Sequence, residues 1–105
     1  MYKNKYHAKP TYVGDIRFDS KKEAKRWQEL VMLERAGEIK NLRRQVEFEL
    51  IPKTSHGRRI VYRADFVYDI GGQEVVEDAK GVKTDVYRLK RRMMAERYGI
   101  IIQEV

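Results

Sequence analysis

Two strand-like runs separated by a pair of glycines constrain the fold more than any other feature of this sequence. The runs are IVYRADFVYD at residues 60–69 and QEVVEDAK at residues 73–80, and Gly71 and Gly72 lie between them. A two-residue β-turn needs backbone conformations with positive φ, which glycine adopts without a steric penalty. The segment therefore predicts a β-hairpin whose turn is the glycine pair.

The two-residue turn also determines which residues face each other across the hairpin. Ile70 pairs with Gln73, and the same register places Asp65 opposite Asp78. Opposed residues share one face of a sheet, and two like charges placed this way destabilise the strand pair. Lys80 lies two residues beyond Asp78 and points to the same face by strand alternation. The hairpin is thus expected to present two acids and one lysine together.

Two interpretations of this cluster are open from the residues alone. In the first, the cluster is a solvated sheet face on which Lys80 and Arg63 neutralise the acids. In the second, Asp65 and Asp78 are hard oxygen ligands of a divalent metal, and the ammonium group of Lys80 binds phosphate or positions a water molecule. Glu77 is expected on the opposite face, but a β-bulge would make it the competing acid.

A helix is predicted before the hairpin, at residues 20–36. Ser20 and Glu23 have the spacing of a capping box, and Gly37 follows as a left-handed C-terminal residue. The apolar stripe of this helix consists of Trp27, Leu30 and Val31. Glu23 lies on the same stripe, so it is either an inward-facing acid at a functional site or only part of the cap.

The remaining elements complete a mixed α/β (α+β) arrangement. QVEFEL at residues 45–50 alternates like a half-buried strand, and IIIQEV at the end predicts a short buried strand. A second helix begins at Thr84 as N-cap and runs to about Tyr98, with its inward side expected at Val86, Leu89 and Met93. The crossover helix makes the last two strands parallel neighbours. Residues 1–17 form a basic arm with at most a short hairpin, and residues 18–105 form a single domain.

The charge balance favours a nucleic-acid partner. The chain has 105 residues, no cysteine, and 23 Lys and Arg against 16 Asp and Glu, for a net charge of +7. Such a surface attracts polyphosphate before any specific contact is made, although many small basic proteins bind nothing in particular. The basic residues expected to contact DNA are those of the second helix, namely Lys83, Arg88, Lys90, Arg91, Arg92 and Arg97. The absence of an apolar leader or membrane-length segment predicts a cytoplasmic protein.

Three motifs in order carry a resemblance to a known family. They are FDSKKEAKRW on the first helix, YRADF on the second strand of the meander, and VEDAKG on the third. Together with the order helix, three strands, helix, strand, they resemble the PD-(D/E)XK nuclease superfamily, and closely its small phage-type endonucleases and Holliday-junction-resolvase-like proteins. The resemblance covers residues 18–105 and implies the αβββαβ core of restriction endonucleases.

The resemblance implies a role for each acid of the motifs. Asp65 and Asp78 would bind Mg²⁺ or Mn²⁺, Lys80 would position or activate the attacking water, and Glu23 would add a metal or water contact. The chain departs from the family pattern at Ala64, which stands where the motif has proline. Four accessory positions stay open between a site role and an ordinary structural role: Gln45, Thr84, Tyr87 and Lys90.

The expected activity is metal-dependent hydrolysis of DNA phosphodiester bonds, leaving a 5′ phosphate and a 3′ hydroxyl. The resemblance further implies duplex or branched DNA such as a Holliday junction as substrate, a role in DNA recombination, a homodimer, and the cytoplasm of a bacterial or phage-infected cell. The alternative from another class is a non-catalytic DNA-binding module whose acid cluster is structural. An RNA-processing nuclease uses the same chemistry and stays open as well.

Overall fold

A computed structural model of the chain describes residues 10–79 and 83–105. Most of the basic arm, residues 1–9, and the predicted site residue Lys80 lie outside the described residues. The elements in chain order are β1 (Thr11–Val13), β2 (Ile16–Phe18), α1 (Lys21–Arg35), β3 (Lys40–Ile51), β4 (Ile60–Ile70), β5 (Gln73–Asp78), α2 (Asp85–Tyr98) and β6 (Gln103–Glu104). In these two ranges, no helix has the length and apolar character needed to cross a membrane.

The mixed α+β architecture predicted from the sequence is confirmed. β1 and β2 form a small antiparallel sheet, as the predicted short hairpin requires. The other strands form a four-stranded sheet in the order β3-β4-β5-β6, antiparallel except for the parallel pair β5 and β6. β3 is longer than the predicted strand, whereas β6 keeps only two exposed residues of the predicted buried run, and Ile102 beside it is buried.

Both helices begin and end where local sequence signals place them. The Ser20 side chain accepts a hydrogen bond from the backbone N–H of Glu23 at 3.1 Å, which satisfies a free donor in the first turn of α1. Thr84 does the same for Tyr87 at the start of α2, also at 3.1 Å. Gly99 ends α2 with φ of 66°, a left-handed conformation that favours glycine.

The hairpin register is confirmed from the turn to the fifth residue pair. Gly71 and Gly72 have φ of 56° and 80°, and the pairing runs from Ile70 with Gln73 to Phe66 with Glu77. The expectation that Asp65 and Asp78 then form the next pair is wrong. The β4–β5 ladder ends at Phe66 and Glu77, whereas the pairing of β5 with β6 continues by one residue, from Glu77 with Gln103 to Asp78 with Glu104.

The four-stranded sheet lies between the two helices and buries a cluster on each face. The α1 cluster, with Ala24 and Leu30 of the helix, comprises Phe18, Ala24, Leu30, Ile39, Phe66, Tyr68 and Ala79. The α2 cluster, with Tyr87 and Met94 of the helix, comprises Leu50, Tyr62, Ala64, Val67, Val76, Tyr87, Met94 and Ile102. β4 contributes to both clusters, so its central residues 64–68 are all buried, which explains its nearly continuous apolar run.

The alternation of side chains between these faces breaks at the middle of the sheet. In β4, Ala64 belongs to the α2 cluster while Phe66 belongs to the α1 cluster, although two residues apart should share a face. In β3, Leu42 packs on the α1 cluster and Val46 on the α2 cluster. The break in β3 coincides with Gln45, whose φ is 52°. Gln45 and Asp65 are therefore placed at an irregularity that both strands share.

The inward side of α2 differs from the prediction. Val86 and Leu89 are 62% and 60% exposed, while Tyr87 and Met94 are buried and Met93 packs partly against the α2 cluster. Tyr87 and Met94 lie two helical turns apart and share one side, so the helix is rotated relative to the expected stripe. The reason is tertiary, because a hydrogen bond from the Tyr87 hydroxyl group to Glu104 at 2.8 Å keeps the tyrosine turned toward the sheet.

The left-handed turn at Gly71 gives a testable prediction about the hairpin that carries the acids. Gly71→Ala should lower the free energy of unfolding by ~1–2 kcal/mol, since alanine is strained in a left-handed conformation. Gly71→Asn should lose less, because asparagine tolerates this turn position. Gly57→Ala is the control: its φ is not positive and an added Cβ meets no atom within 4 Å. Equal midpoints of urea unfolding for the two alanine variants would contradict the turn assignment.

Candidate functional site

Within residues 10–79 and 83–105, four carboxylates are buried in and beside the sheet. Glu23 is 6% exposed, Asp65 8%, Glu77 1% and Asp78 1%. A buried carboxylate is unfavourable unless hydrogen bonds or opposite charges compensate for its lost hydration. The partners of each acid therefore indicate which of them serve the fold and which are candidates for a functional site.

Glu77 is committed to an ion pair with α1. Arg26 donates from Nε to Oε1 at 2.8 Å and from Nη2 to Oε2 at 2.7 Å, a bidentate arrangement. The hydroxyl group of Tyr68 donates to the same carboxylate. Glu77 faces the α1 side beside Phe66, as predicted, and these contacts support Asp78 as the acid of the third-strand motif.

Glu23 and Asp65 are brought together by Gln45. The amide Nε2 of Gln45 lies 3.3 Å from Glu23 Oε1 and 3.4 Å from Asp65 Oδ1, so one side chain contacts both carboxylates. The second oxygen of Asp65 accepts the backbone N–H of Ala79 at 2.8 Å. The open question about Gln45 is thus answered in part: it reaches the acids, because its left-handed backbone lies at the irregularity next to Asp65.

The pKa of Glu23 is raised from 4.5 to about 7. Burial makes the largest contribution because it disfavours the charged form, and the nearby negative charges of Asp65 and Asp19 raise the pKa further. Around neutral pH, Glu23 is therefore distributed between a neutral and an ionised form. A bound cation would favour the ionised form, since opposite charge nearby lowers the pKa of a carboxyl group.

Asp78 is held on the α2 side by a tyrosine that the sequence motifs did not identify. The hydroxyl group of Tyr62 donates to Asp78 Oδ2 at 2.6 Å, and the tyrosine is 2% exposed. Burial, followed by the hydrogen bond and charge of Asp78, raises the pKa of Tyr62 above its ordinary value, so it stays a donor. The sequence contains only a weak signal for this contact. Tyr62 lies two residues before Ala64 and should share its face of the strand, but the sequence does not indicate which face of the sheet that is.

The acids of the motifs thus lie close to the end of the β4–β5 ladder but have different supports. Glu23 and Asp65 are joined through Gln45, and Asp78 is held by Tyr62. Over residues 10–79 and 83–105, no three or more His, Cys, Asp or Glu side chains are arranged as a group that could hold a metal ion. The donor set itself is chemically suited to Mg²⁺, which prefers one or two carboxylates together with water and substrate phosphate.

Thr84, Tyr87 and Lys90 lie together on one wall of a groove between α2 and the beginning of β4. The groove has a volume of about 330 Å³, and its other lining residues are Val61, Tyr62, Arg63 and Val86. Thr84 also serves as the N-cap of α2 and Tyr87 as part of its buried side. The structural and site-related roles of these two residues are therefore compatible.

The basic residues of α2 differ in how they are engaged. Lys83 and Arg91 both pair with Glu104, at 3.4 and 3.1 Å. Arg88 pairs with Asp85 at 3.2 Å, and Arg97 donates to the carbonyl oxygen of Leu50 at 3.0 Å. Lys90 and Arg92 show no ion pair or side-chain hydrogen bond within the described part of the chain. Lys90 and Arg92 therefore have no acid competing for their charge within the described residues, whereas the exposed pair of Arg88 with Asp85 is weak and can be exchanged for a phosphate.

Comparison with known proteins gives a family but no activity. A family model described as "Protein of unknown function (DUF1064)" matches residues 3–103. No curated protein and no solved structure matches the chain.

The buried pair between Arg26 and Glu77 should contribute strongly to stability. Arg26→Met should lower the free energy of unfolding by about 3 kcal/mol, because it leaves a carboxylate buried without its cation. The matched control is Arg43→Met, which breaks the exposed pair with Glu74 and should cost less than about 1 kcal/mol. Chemical denaturation at pH 7 measures both changes. Equal losses of unfolding free energy in the two variants would show that the buried pair contributes no more to stability than the exposed pair.

The raised pKa of Glu23 predicts how stability depends on pH. The folded state binds the proton more tightly than the unfolded chain, so this group contributes stability that is fully present below pH 4.5 and is lost as pH rises through about 7. Glu23→Gln should remove that decline. The measurement is the urea midpoint between pH 4.5 and 8 in chelator, with Glu74→Gln as an exposed control. If the urea midpoints of the wild type and of Glu23→Gln change equally with pH, the raised pKa of Glu23 is contradicted.

Proposed function

We propose that this chain, which belongs to the DUF1064 family, is a divalent-metal-dependent endodeoxyribonuclease of the PD-(D/E)XK type. The observation that carries the proposal is a set of buried acids near the end of the β4–β5 ladder: Asp65 is joined to Glu23 through Gln45 and accepts the N–H of Ala79, the residue after Asp78. Asp78 lies two residues before Lys80 in the sequence, the spacing of the D/E-x-K motif. A bound cation would offset part of the cost of burying several acids here.

The side chains of the site have separable roles in the proposed reaction. Asp65, Asp78 and Glu23 would hold Mg²⁺ or Mn²⁺, which when bound polarises the scissile phosphate and lowers the pKa of a water molecule. Gln45 orients Glu23 and Asp65 by donating to both. Tyr62 fixes the orientation of Asp78 on the α2 side of the sheet. Lys80 would stabilise the negative charge that develops on the phosphate.

DNA is the substrate that the charge of the chain supports. The net charge of +7 attracts a phosphate backbone, and Lys90 and Arg92 are available on α2 for phosphate contacts. Within this proposal the substrate is duplex or branched DNA, such as a Holliday junction, in the cytoplasm of a bacterial or phage-infected cell. A homodimer would allow two strands to be cut at one junction.

A non-catalytic DNA-binding module is the second candidate function. The observation in its favour is that each acid of the site accepts a hydrogen bond from the protein itself: Gln45 donates to Glu23 and Asp65, and Tyr62 donates to Asp78. Acids satisfied in this way can serve the fold without a metal. The two candidates differ in their response to Mg²⁺, which only the nuclease requires.

The deciding experiment is a cleavage assay with Mg²⁺ on supercoiled, linear and four-way-junction DNA. Wild-type protein should cut, whereas Asp78→Asn and Lys80→Ala should lose activity by a factor of at least about 100, because each removes a group that acts on the reacting phosphate. DNA binding should persist in both variants, since it rests on many basic residues. Ca²⁺ should support binding without cleavage.

Glu77→Gln is the matched control for Asp78→Asn, since both remove one buried negative charge from adjacent residues. It should lower stability, but glutamine keeps the length of the side chain and can still accept a hydrogen bond from Arg26, so the folded protein should keep the acids in place and retain most of its activity. Cleavage lost in Glu77→Gln and retained in Asp78→Asn would reverse the assignment of the acids. No Mg²⁺-dependent cleavage by wild type, together with DNA binding, would establish the non-catalytic candidate.

A further inference from the structure

The groove between α2 and β4 lies directly beside the acid site. It has a volume of about 330 Å³ and is lined by Val61, Tyr62, Arg63, Thr84, Val86, Tyr87 and Lys90. Tyr62 belongs to both places, since it lines the groove and its hydroxyl group lies 2.6 Å from Asp78 Oδ2. A molecule in the groove would therefore be separated from Asp78 by one tyrosine side chain.

The walls of the groove combine cationic and apolar groups. Lys90 is half-buried and has no ion pair within the described part of the chain, so its charge is available to a ligand. Arg63 pairs with Glu47 at 2.9 Å, yet its side chain remains 59% exposed, where such a pair is weak and can be exchanged. Val86, at 62% exposure, and half-buried Val61 supply apolar surface between these cations.

This combination suits a ligand that is anionic at one end and flat and apolar at the other. A free phosphate would leave the valines uncovered, and an apolar molecule would leave the lysine without a partner. The volume is at the lower end of the range for small-molecule sites, so one nucleotide fits and a duplex does not. A base that is stacked and paired inside a duplex cannot reach the valines.

We propose that the groove binds one unpaired nucleotide of a DNA strand, with its phosphate on Lys90 and Arg63 and its base against Val86 and Val61. The inference rests on the proposed function in one respect: the nucleotide belongs to the strand that passes Asp78. The groove thereby selects DNA with unpaired nucleotides, such as junctions, flaps and single strands, over continuous duplex. Extruding a base from a duplex requires it to be unstacked and unpaired, and a base that is already unpaired avoids most of that cost.

The test measures binding without cleavage, in chelator, with a fluorescein-labelled oligothymidylate and a blunt duplex of the same length. Wild type should prefer the single strand. Lys90→Ala should weaken single-strand binding and flatten its log–log dependence on salt by about 0.7, the value for one lost phosphate contact on a single strand. Val86→Ala should weaken single-strand binding without changing the salt slope. Both substitutions are on a helix surface and favour helix formation, so the variants should fold.

Arg92→Ala is the matched control, because Arg92 is on the same helix, is exposed and does not line the groove. It should weaken single-strand and duplex binding by the same factor. The inference is overturned if wild type does not prefer the single strand, or if Lys90→Ala and Val86→Ala reduce both affinities equally. The binding test is run in chelator, so its outcome is independent of the cleavage assay with Mg²⁺. If the wild type prefers single strands through the groove but does not cleave DNA with Mg²⁺, the nuclease proposal is refuted and the nucleotide site stands.

Discussion

The buried ion pair between Arg26 and Glu77 is the interaction on which the arrangement of the site depends. It joins α1 to the end of β5 through two short charge-assisted hydrogen bonds. Since neighbouring strand residues point to opposite faces, holding Glu77 on the α1 side places Asp78 on the α2 side. The same pair brings the first turns of α1, with Glu23, close to the sheet. One structural acid thus determines where the candidate catalytic acids lie.

The irregularity that β3 and β4 share at Gln45 and Asp65 is the second feature that determines the arrangement of the site. In a regular β-strand the side chains alternate between the two faces without interruption. At Gln45 this alternation is broken. The left-handed backbone of Gln45 allows its amide to contact an acid from the helix and an acid from the sheet together. Such conformations cost of order 1–3 kcal/mol and are found more often at functional sites than elsewhere. The site therefore combines backbone strain with buried charge.

The surface charge shows why a net positive charge does not by itself locate a partner. Much of the positive charge of α2 is balanced within the chain, chiefly by Glu104 of β6 and Asp85 of the helix itself. Lys90 remains available, and it lies at the groove beside Tyr62. Charge that is available to a partner thus lies on the same side of the sheet as Asp78, which a count of basic residues cannot reveal.

Local backbone chemistry determined the hairpin turn and the ends of the two helices. The glycine turn set the hairpin register because only glycine adopts two successive left-handed conformations easily, and Ser20 and Thr84 started the helices because their side chains satisfy free N–H groups. Contacts between residues far apart in the chain decided the rest. The rotation of α2, the reach of Gln45 and the support of Asp78 by Tyr62 depend on which faces pack together. The local sequence carries no signal for which faces pack together or where strand alternation breaks, so only the tertiary structure could establish these features.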